Sequence, residues 1–112
     1  MELADLTAEK QVEVVDGVHL AQLAVGEQMS LNYFEVAPGA ETPKHSHEHE
    51  QLGFVYQGEF SFSVGGETYV ASPGSAYYIP SNEPHAAANF GETPVKGIDI
   101  FSPPRVDPAW KD

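Results

Sequence analysis

The sequence predicts an all-β fold in a single domain over residues 1–112, a sandwich or barrel of the jelly-roll kind. Three observations carry that expectation. Polar and apolar residues alternate over short stretches, whereas almost no segment shows helical periodicity with caps. Ten glycines and nine prolines are scattered along the chain, which suits many short strands joined by tight turns. A chain of 112 residues is also the right size for one core, burying about 60–70% of the surface its unfolded form exposes.

Residues 1–10 are polar with little pattern and read as a loose lead-in. Gln11 to Val15 and Val18 to Leu23 flank Asp16-Gly17, a dipeptide that favours a hairpin turn. Gln28 to Val36 reads as a strand with Met29, Leu31, Tyr33 and Glu35 on one face, and Pro38-Gly39 ends it. Leu52 to Gln57 is a further strand, broken by Gly58. Glu59 to Val64 alternates clearly, with Phe60, Phe62 and Val64 on its apolar side. Gly65-Gly66 is a hairpin connection to the return strand, Glu67 to Ala71. Pro73-Gly74 turns the chain into Ala76 to Ile79, a short apolar strand, and Pro80 to Pro84 turns it again into His85 to Phe90. Val95 to Phe101 is the last strand, closed by Pro103-Pro104, after which a tail begins. No repeat or low-complexity segment interrupts the series.

Charge and composition exclude several classes of function. A net charge of −12 with no basic cluster argues against nucleic-acid and anionic-membrane partners, and any anionic substrate must be drawn in by local positive charge. Cysteine is absent, so disulfides, thiolate metal sites and cysteine nucleophiles are excluded. The start, Met1-Glu2-Leu3-Ala4-Asp5, lacks a basic and an apolar leader region, and no apolar run is long enough to span a bilayer. These features predict a cytoplasmic protein.

The chemistry is concentrated in His45-Ser46-His47-Glu48-His49-Glu50-Gln51. In an extended strand His45, His47, His49 and Gln51 face one way, and Ser46, Glu48 and Glu50 the other. Two neutral imidazoles two residues apart on one strand face can grip a single divalent ion. A solvated His- and Glu-rich loop is the competing reading of the stretch alone.

Spacing makes the stretch specific. Gly39, five residues, His45, one residue, His47, three residues, Gln51, six residues and Gly58 form one pattern. Gly74, five residues, Pro80, one residue, Asn82, two residues, His85, three residues and Asn89 form a second. Together these resemble the two motifs of the cupin superfamily, here at residues 39–58 and 74–89, joined by a short hairpin. The first motif usually has Glu where this chain has Gln51, and the second often has Gly where it has Asn82. The resemblance implies a small jelly-roll barrel holding one divalent metal ion on His45, His47, Gln51 and His85, with the Pro80–Pro84 turn presenting His85 across the barrel to the first pair. The same ligands accept nickel, iron, manganese, zinc or cobalt. His49 falls outside the motif and is expected at the pocket rim. Three imidazoles and an amide leave the metal its full charge, which favours a Lewis acid that polarises an oxygen of an anionic substrate.

Within the cupins, His45–Val55 followed by Gln57-Gly58-Glu59, together with Ile79–His85, is similar to the small pectin-degradation cupins, the KdgF family. Family members more often have proline in place of Glu48, a position facing away from the expected site. Asp99, Phe101 and Arg105 match the family's acid, aromatic and arginine beyond the ligands. The residues themselves support such a trio. Asp99 and Phe101 share a strand face while Ile98 and Ile100 take the other and can pack in the core. An Asp within an apolar strand is costly unless hydrogen-bonded, paired or functional, the plain alternative being an edge acid paired with Lys96 or Arg105. Arg105 is one of five Lys and Arg residues and can clamp a carboxylate bidentately.

The resemblance implies action on 4,5-unsaturated monouronates released from pectin or alginate, converting the cyclic sugar acid to its linear keto form. Asp99 would move protons, Arg105 would hold the anion, and Phe101 would pack on the ring. Other expectations compatible with the ligands are a cupin dioxygenase, a small cupin lyase of sulfonium compounds, or a sugar-binding module without catalysis. A homodimer is expected from the exposed edge of a small barrel, with Trp110 covering part of the interface.

Overall fold

The computed structural model describes residues 1–7 and 11–105. Its strands are β1 (Val12–Val15), β2 (Val18–Val25), β3 (Ser30–Val36), β4 (Glu41–His45), β5 (Glu50–Gln57), β6 (Phe60–Val64), β7 (Glu67–Ala71), β8 (Ala76–Ile79), β9 (His85–Ala88) and β10 (Val95–Ser102). They form two antiparallel sheets, one of six strands in the order β1-β2-β3-β10-β5-β8 and one of four in the order β4-β9-β6-β7. This is the all-β jelly-roll expected. The turn signals fall where anticipated: Gly17 and Gly65-Gly66 take positive φ in the hairpin turns, and Gly39 and Gly74 do so between sheets.

The chain repeatedly crosses from one sheet to the other, and glycine is structurally required at one crossing. Gly58 leaves β5 at φ 77°, and a Cβ there would lie 2.8 Å from the Pro94 carbonyl oxygen. The asparagine that ends the second motif also has a structural task. Asn89 is fully buried and donates to the carbonyls of Val36 and Thr93 at 3.0 and 2.9 Å, while its own Oδ1 accepts from Gly91 N–H. One side chain thereby ties the exit of β9 to the end of β3 without leaving a buried polar atom unpaired.

The core lies between the sheets. Phe34 of the large sheet stacks on Phe60 of the small one at 5.5 Å, and Phe60 meets Phe62 edge-on at 4.9 Å. Val18, Val36, Val55 and Val95 complete the packing at 2% exposure or less. Burying each such side chain contributes about 1.5–3 kcal/mol.

Two local expectations need correcting. The His45–Gln51 stretch is not one strand: β4 ends at His45, residues 46–49 cross between sheets, and β5 begins at Glu50. Strand parity therefore does not govern it. The faces of β10 are also reversed relative to the core. Asp99 and Phe101 point into the barrel, and Ile98 and Ile100 lie half-buried on the outer face. There they pair with Phe54 and Leu52 of β5, which are 41% and 51% exposed. Apolar side chains on both faces of the sheet hide which face is interior.

Candidate metal centre

His45 closes β4 and His85 opens β9, and the two are direct register partners on neighbouring strands of the small sheet. The expectation that His85 reaches across the barrel is therefore corrected: it arrives from the adjacent strand. His47 joins them from the crossover. Asn82 N–H donates to the His47 carbonyl at 2.7 Å and the Ser81 hydroxyl to the Glu48 carbonyl at 2.6 Å, which docks the turn before His85 onto the crossover. Asn82 itself sits at φ 65°, a left-handed conformation that glycine and asparagine tolerate. That accounts for the family's preference for glycine at this position and for its replacement by asparagine here.

The three rings converge, with one ligand atom from each of His45, His47 and His85 within 4.8 Å of the others. Their tautomers are set by the backbone. Nδ1 of His45 lies 2.8 Å from the Pro43 carbonyl, Nδ1 of His47 2.9 Å from that of His49, and Nδ1 of His85 2.9 Å from that of Glu83. A carbonyl only accepts, so each Nδ1 carries the proton and each Nε2 presents a lone pair. Burial lowers the pKa of His47 and of His85, which favours neutral imidazoles. Gln51, on the large sheet, places Oε1 3.1 Å from His47 Nε2. Three imidazole nitrogens of fixed tautomer with an amide oxygen beside them fit a divalent ion of the borderline class. His49 contributes its carbonyl to His47 and is half-buried, its ring 6.3 Å from that of Phe101, and it is not among the residues that line the cavity.

Behind the imidazoles lies an acid–tyrosine pair. Tyr77, read in sequence only as part of an apolar strand, donates its hydroxyl to Asp99 Oδ1 at 2.6 Å. Gly53 makes room for it, because a Cβ there would lie 2.0 Å from Cζ of the Tyr77 ring. A glycine inside a strand was the signal available for this close approach. Burial pushes the Asp99 carboxyl up to about 6, against the opposing pull of hydrogen bonds from Tyr77 and Gln51 and of the Arg105 charge. Burial, then the Asp99 charge and hydrogen bond, raise the Tyr77 phenol well above its usual value, so it remains a donor.

The Gln51 side chain lowers the pKa of both Asp99 and Tyr77, as a donor facing them does, while its Oε1 faces His47. Its nitrogen is therefore turned toward Asp99 and its oxygen toward the imidazoles. A glutamate here would confront Asp99 with a second acceptor, which explains the departure from the usual motif.

Arg105 is held by its backbone rather than left on the surface. Its N–H donates to the Ser30 hydroxyl at 2.9 Å, and its carbonyl accepts from Gln22 Nε2. The guanidinium lies over the Phe101 ring, 4.9 Å from its centroid. Phe101 is 5% exposed and meets the His47 ring edge-on at 5.6 Å. Lys96 pairs instead with Glu35 at 3.8 Å, leaving Asp99 to the interior. His45, His47, Gln51, His85, Asp99, Phe101 and Arg105 all line one cavity of about 260 Å³. Arg105 is the only Lys or Arg on its wall among the described residues.

A two-sheet barrel with three converging imidazoles on its cavity wall defines a small β-barrel of the metal-site type. The chain belongs to the cupin domain family, whose model matches residues 32–101. The structure of KdgF from Halomonas sp. superposes with a TM-score of 0.87 at 30% identity, covering 96% of this chain and 97% of that one. The pectin degradation protein KdgF of Dickeya dadantii (strain 3937) is 31% identical over 96 residues, 85% of this chain and 86% of that protein. H2HPP isomerase of Bacillus subtilis is 35% identical over 71 residues, 63% of this chain; the chain spans 30% of that relative's length.

Proposed function

We propose that this protein is an enzyme that opens 4,5-unsaturated monouronates to linear keto sugar acids. The observation that carries the reading is the meeting, in one cavity, of an acid–base group tuned to about 6, a cation and three imidazoles. Similarity to KdgF over nearly the whole chain supports it. A general acid–base group works best with a pKa near the working pH, and Asp99 meets that requirement.

His45, His47, Gln51 and His85 would hold one divalent ion, of nickel, iron, manganese, zinc or cobalt, which supplies Lewis-acid polarisation of a substrate oxygen. Arg105 clamps the substrate carboxylate and Phe101 packs against the ring. Asp99 takes the proton from the C1 hydroxyl as the C1–O5 bond breaks and its electron pair moves to O5. The aldehyde forms at C1 and an enolate spans C4, C5 and O5. Asp99 then returns the proton to C4, and the C5 ketone forms. One proton has moved from O1 to C4, and no electron has left. Tyr77 keeps its bond to Oδ1 throughout, so the same carboxylate oxygen need not serve both as anchor and as base.

A cytoplasmic location and a homodimer belong to the same proposal. Among the described residues, no helix is long and apolar enough to cross a membrane. The dimer is supported by the outer face of the large sheet, where Leu52, Phe54, Tyr56 and Tyr78 are 41–53% exposed beside Ile98 and Ile100. Trp110, expected at the interface, lies outside the described residues. Sedimentation should give a dimer that Phe54→Glu converts to monomer; a wild-type monomer contradicts this part. The activity is tested by following loss of the uronate's ultraviolet absorbance in anaerobic buffer. Absorbance should fall there as fast as in aerated buffer, whereas a fall confined to aerated buffer, with oxygen consumed, would assign the protein to dioxygenase chemistry.

A further inference from the structure

At one level of the large sheet, four inward-facing polar residues lie in a row. Tyr77 of β8 pairs in register with Gly53 of β5, Gly53 with Asp99 of β10, Asp99 with Asn32 of β3, and Asn32 with Gln22 of β2. Tyr77 bonds to Asp99, and Gln22 donates to the Arg105 carbonyl. Asn32 differs. It is 2% exposed and lines the cavity, yet its Oδ1 is enclosed without a hydrogen-bond partner among the described residues. Nearly all buried polar atoms in folded proteins are paired, so an unpaired carboxamide oxygen behind a cavity wall requires a cause.

We infer that Asn32 is a specificity-determining residue that hydrogen-bonds a ring hydroxyl of the substrate. This rests on the uronate reading and sharpens it. Directly opposed residues on neighbouring antiparallel strands have Cβ atoms about 5 Å apart, which puts the Asn32 carboxamide beside the group that moves the proton. The terminal torsion of Asn is broad, so the carboxamide can turn either its acceptor or its donors to an occupant. A sugar hydroxyl, which both donates and accepts, satisfies either. Phe34 and Val36, which follow Asn32 on the same strand face, offer it nothing polar, and the Arg105 side chain on the same wall makes no hydrogen bond to its Oδ1. A substrate carrying hydroxyls next to its reacting carbon completes the row, and a hydroxyl-free analogue leaves it unpaired. Sites built this way discriminate by rejecting the analogue that lacks the group.

The test is a kinetic cycle using the 4,5-unsaturated uronate, its 2-deoxy and its 3-deoxy analogues with wild type, Asn32→Val and Asn32→Ser. Wild type should lose about tenfold in kcat/KM on one of the deoxy analogues. Asn32→Val should lose about tenfold on the parent, mainly in KM, and should no longer distinguish the parent from that analogue. Asn32→Ser should recover part of the loss. The melting temperature of Asn32→Val should equal or exceed that of wild type, because an unpaired polar group has been removed; a purely structural Asn32 would lower it. Full discrimination by Asn32→Val, or by neither protein, overturns the inference while leaving turnover of the parent intact. No turnover of the parent by metal-loaded wild type overturns the uronate reading and this inference with it.

Discussion

Replacing Asp99 with asparagine should make the metal-free protein more stable at neutral pH while abolishing most of its activity. The carboxyl rises from 3.8 to about 6 on folding, burial being the dominant cause. A folded state that binds its proton more tightly than the unfolded chain loses stability as pH rises through that window. A rise of that size corresponds to about 3 kcal/mol, and partial access of Asp99 to the cavity reduces the expected gain to about 1–3 kcal/mol. The asparagine side chain is neutral at every pH and can still accept from Tyr77. The assay is urea unfolding of chelator-treated wild type and Asp99→Asn at pH 4 and pH 8. The variant should be the more stable at pH 8, and the two should converge near pH 4, where wild-type Asp99 is protonated in the folded state. Turnover of the uronate should fall by about 10²–10⁴-fold in the metal-loaded variant. A variant less stable than wild type at pH 8, or a gain of equal size at both pH values, would show that burial of a charged Asp99 is not what costs the folded state its stability.

Gly53→Ala should destabilise by about 1–3 kcal/mol in the same unfolding assay, since its Cβ would fall 2.0–2.3 Å from atoms of the Tyr77 ring. Arg105→Lys keeps the charge but loses the bidentate fork and the stack on Phe101, so KM should rise about tenfold with a smaller change in kcat. Burial depresses the pKa of His47 and of His85, so the unfolded chain binds more protons just below pH 6.5 and stability is lost as pH falls through that range. The effect should be clear in the Asp99→Asn background, where the opposing contribution of Asp99 is gone. Metal affinity, measured by competition with a chelator, should fall over the same range, because protonated imidazoles cannot bind the ion.

Much of the barrel was legible because its turns carry strong local chemistry: Asp16-Gly17, Gly65-Gly66 and Pro73-Gly74 each mark a reversal that propensity alone announces. The gathering of His45, His47, Gln51 and His85 was legible only through two spaced motifs, since no local rule says that β4 and β9 are neighbours. Strand parity failed at His49 because it cannot see where a chain leaves one sheet for another. It also failed to orient β10, where Ile98 and Ile100 are as apolar as a core requires but lie outside it. Tyr77 and Asn32 became visible only with the register, which aligns Gly53 with Tyr77 and Asn32 with Asp99 across strands remote in sequence. Composition records neither.

Whether this cavity opens an unsaturated uronate with a divalent ion on its imidazoles can be measured directly. The uronate's ultraviolet absorbance is followed with chelator-treated protein, before and after adding nickel, iron, manganese, zinc or cobalt, for wild type and His85→Ala. Absorbance should fall when metal is added to wild type, with little or no fall for His85→Ala. Unchanged absorbance with every metal, or an equal rate from His85→Ala, would mean that the imidazole cluster is not the centre of this chemistry.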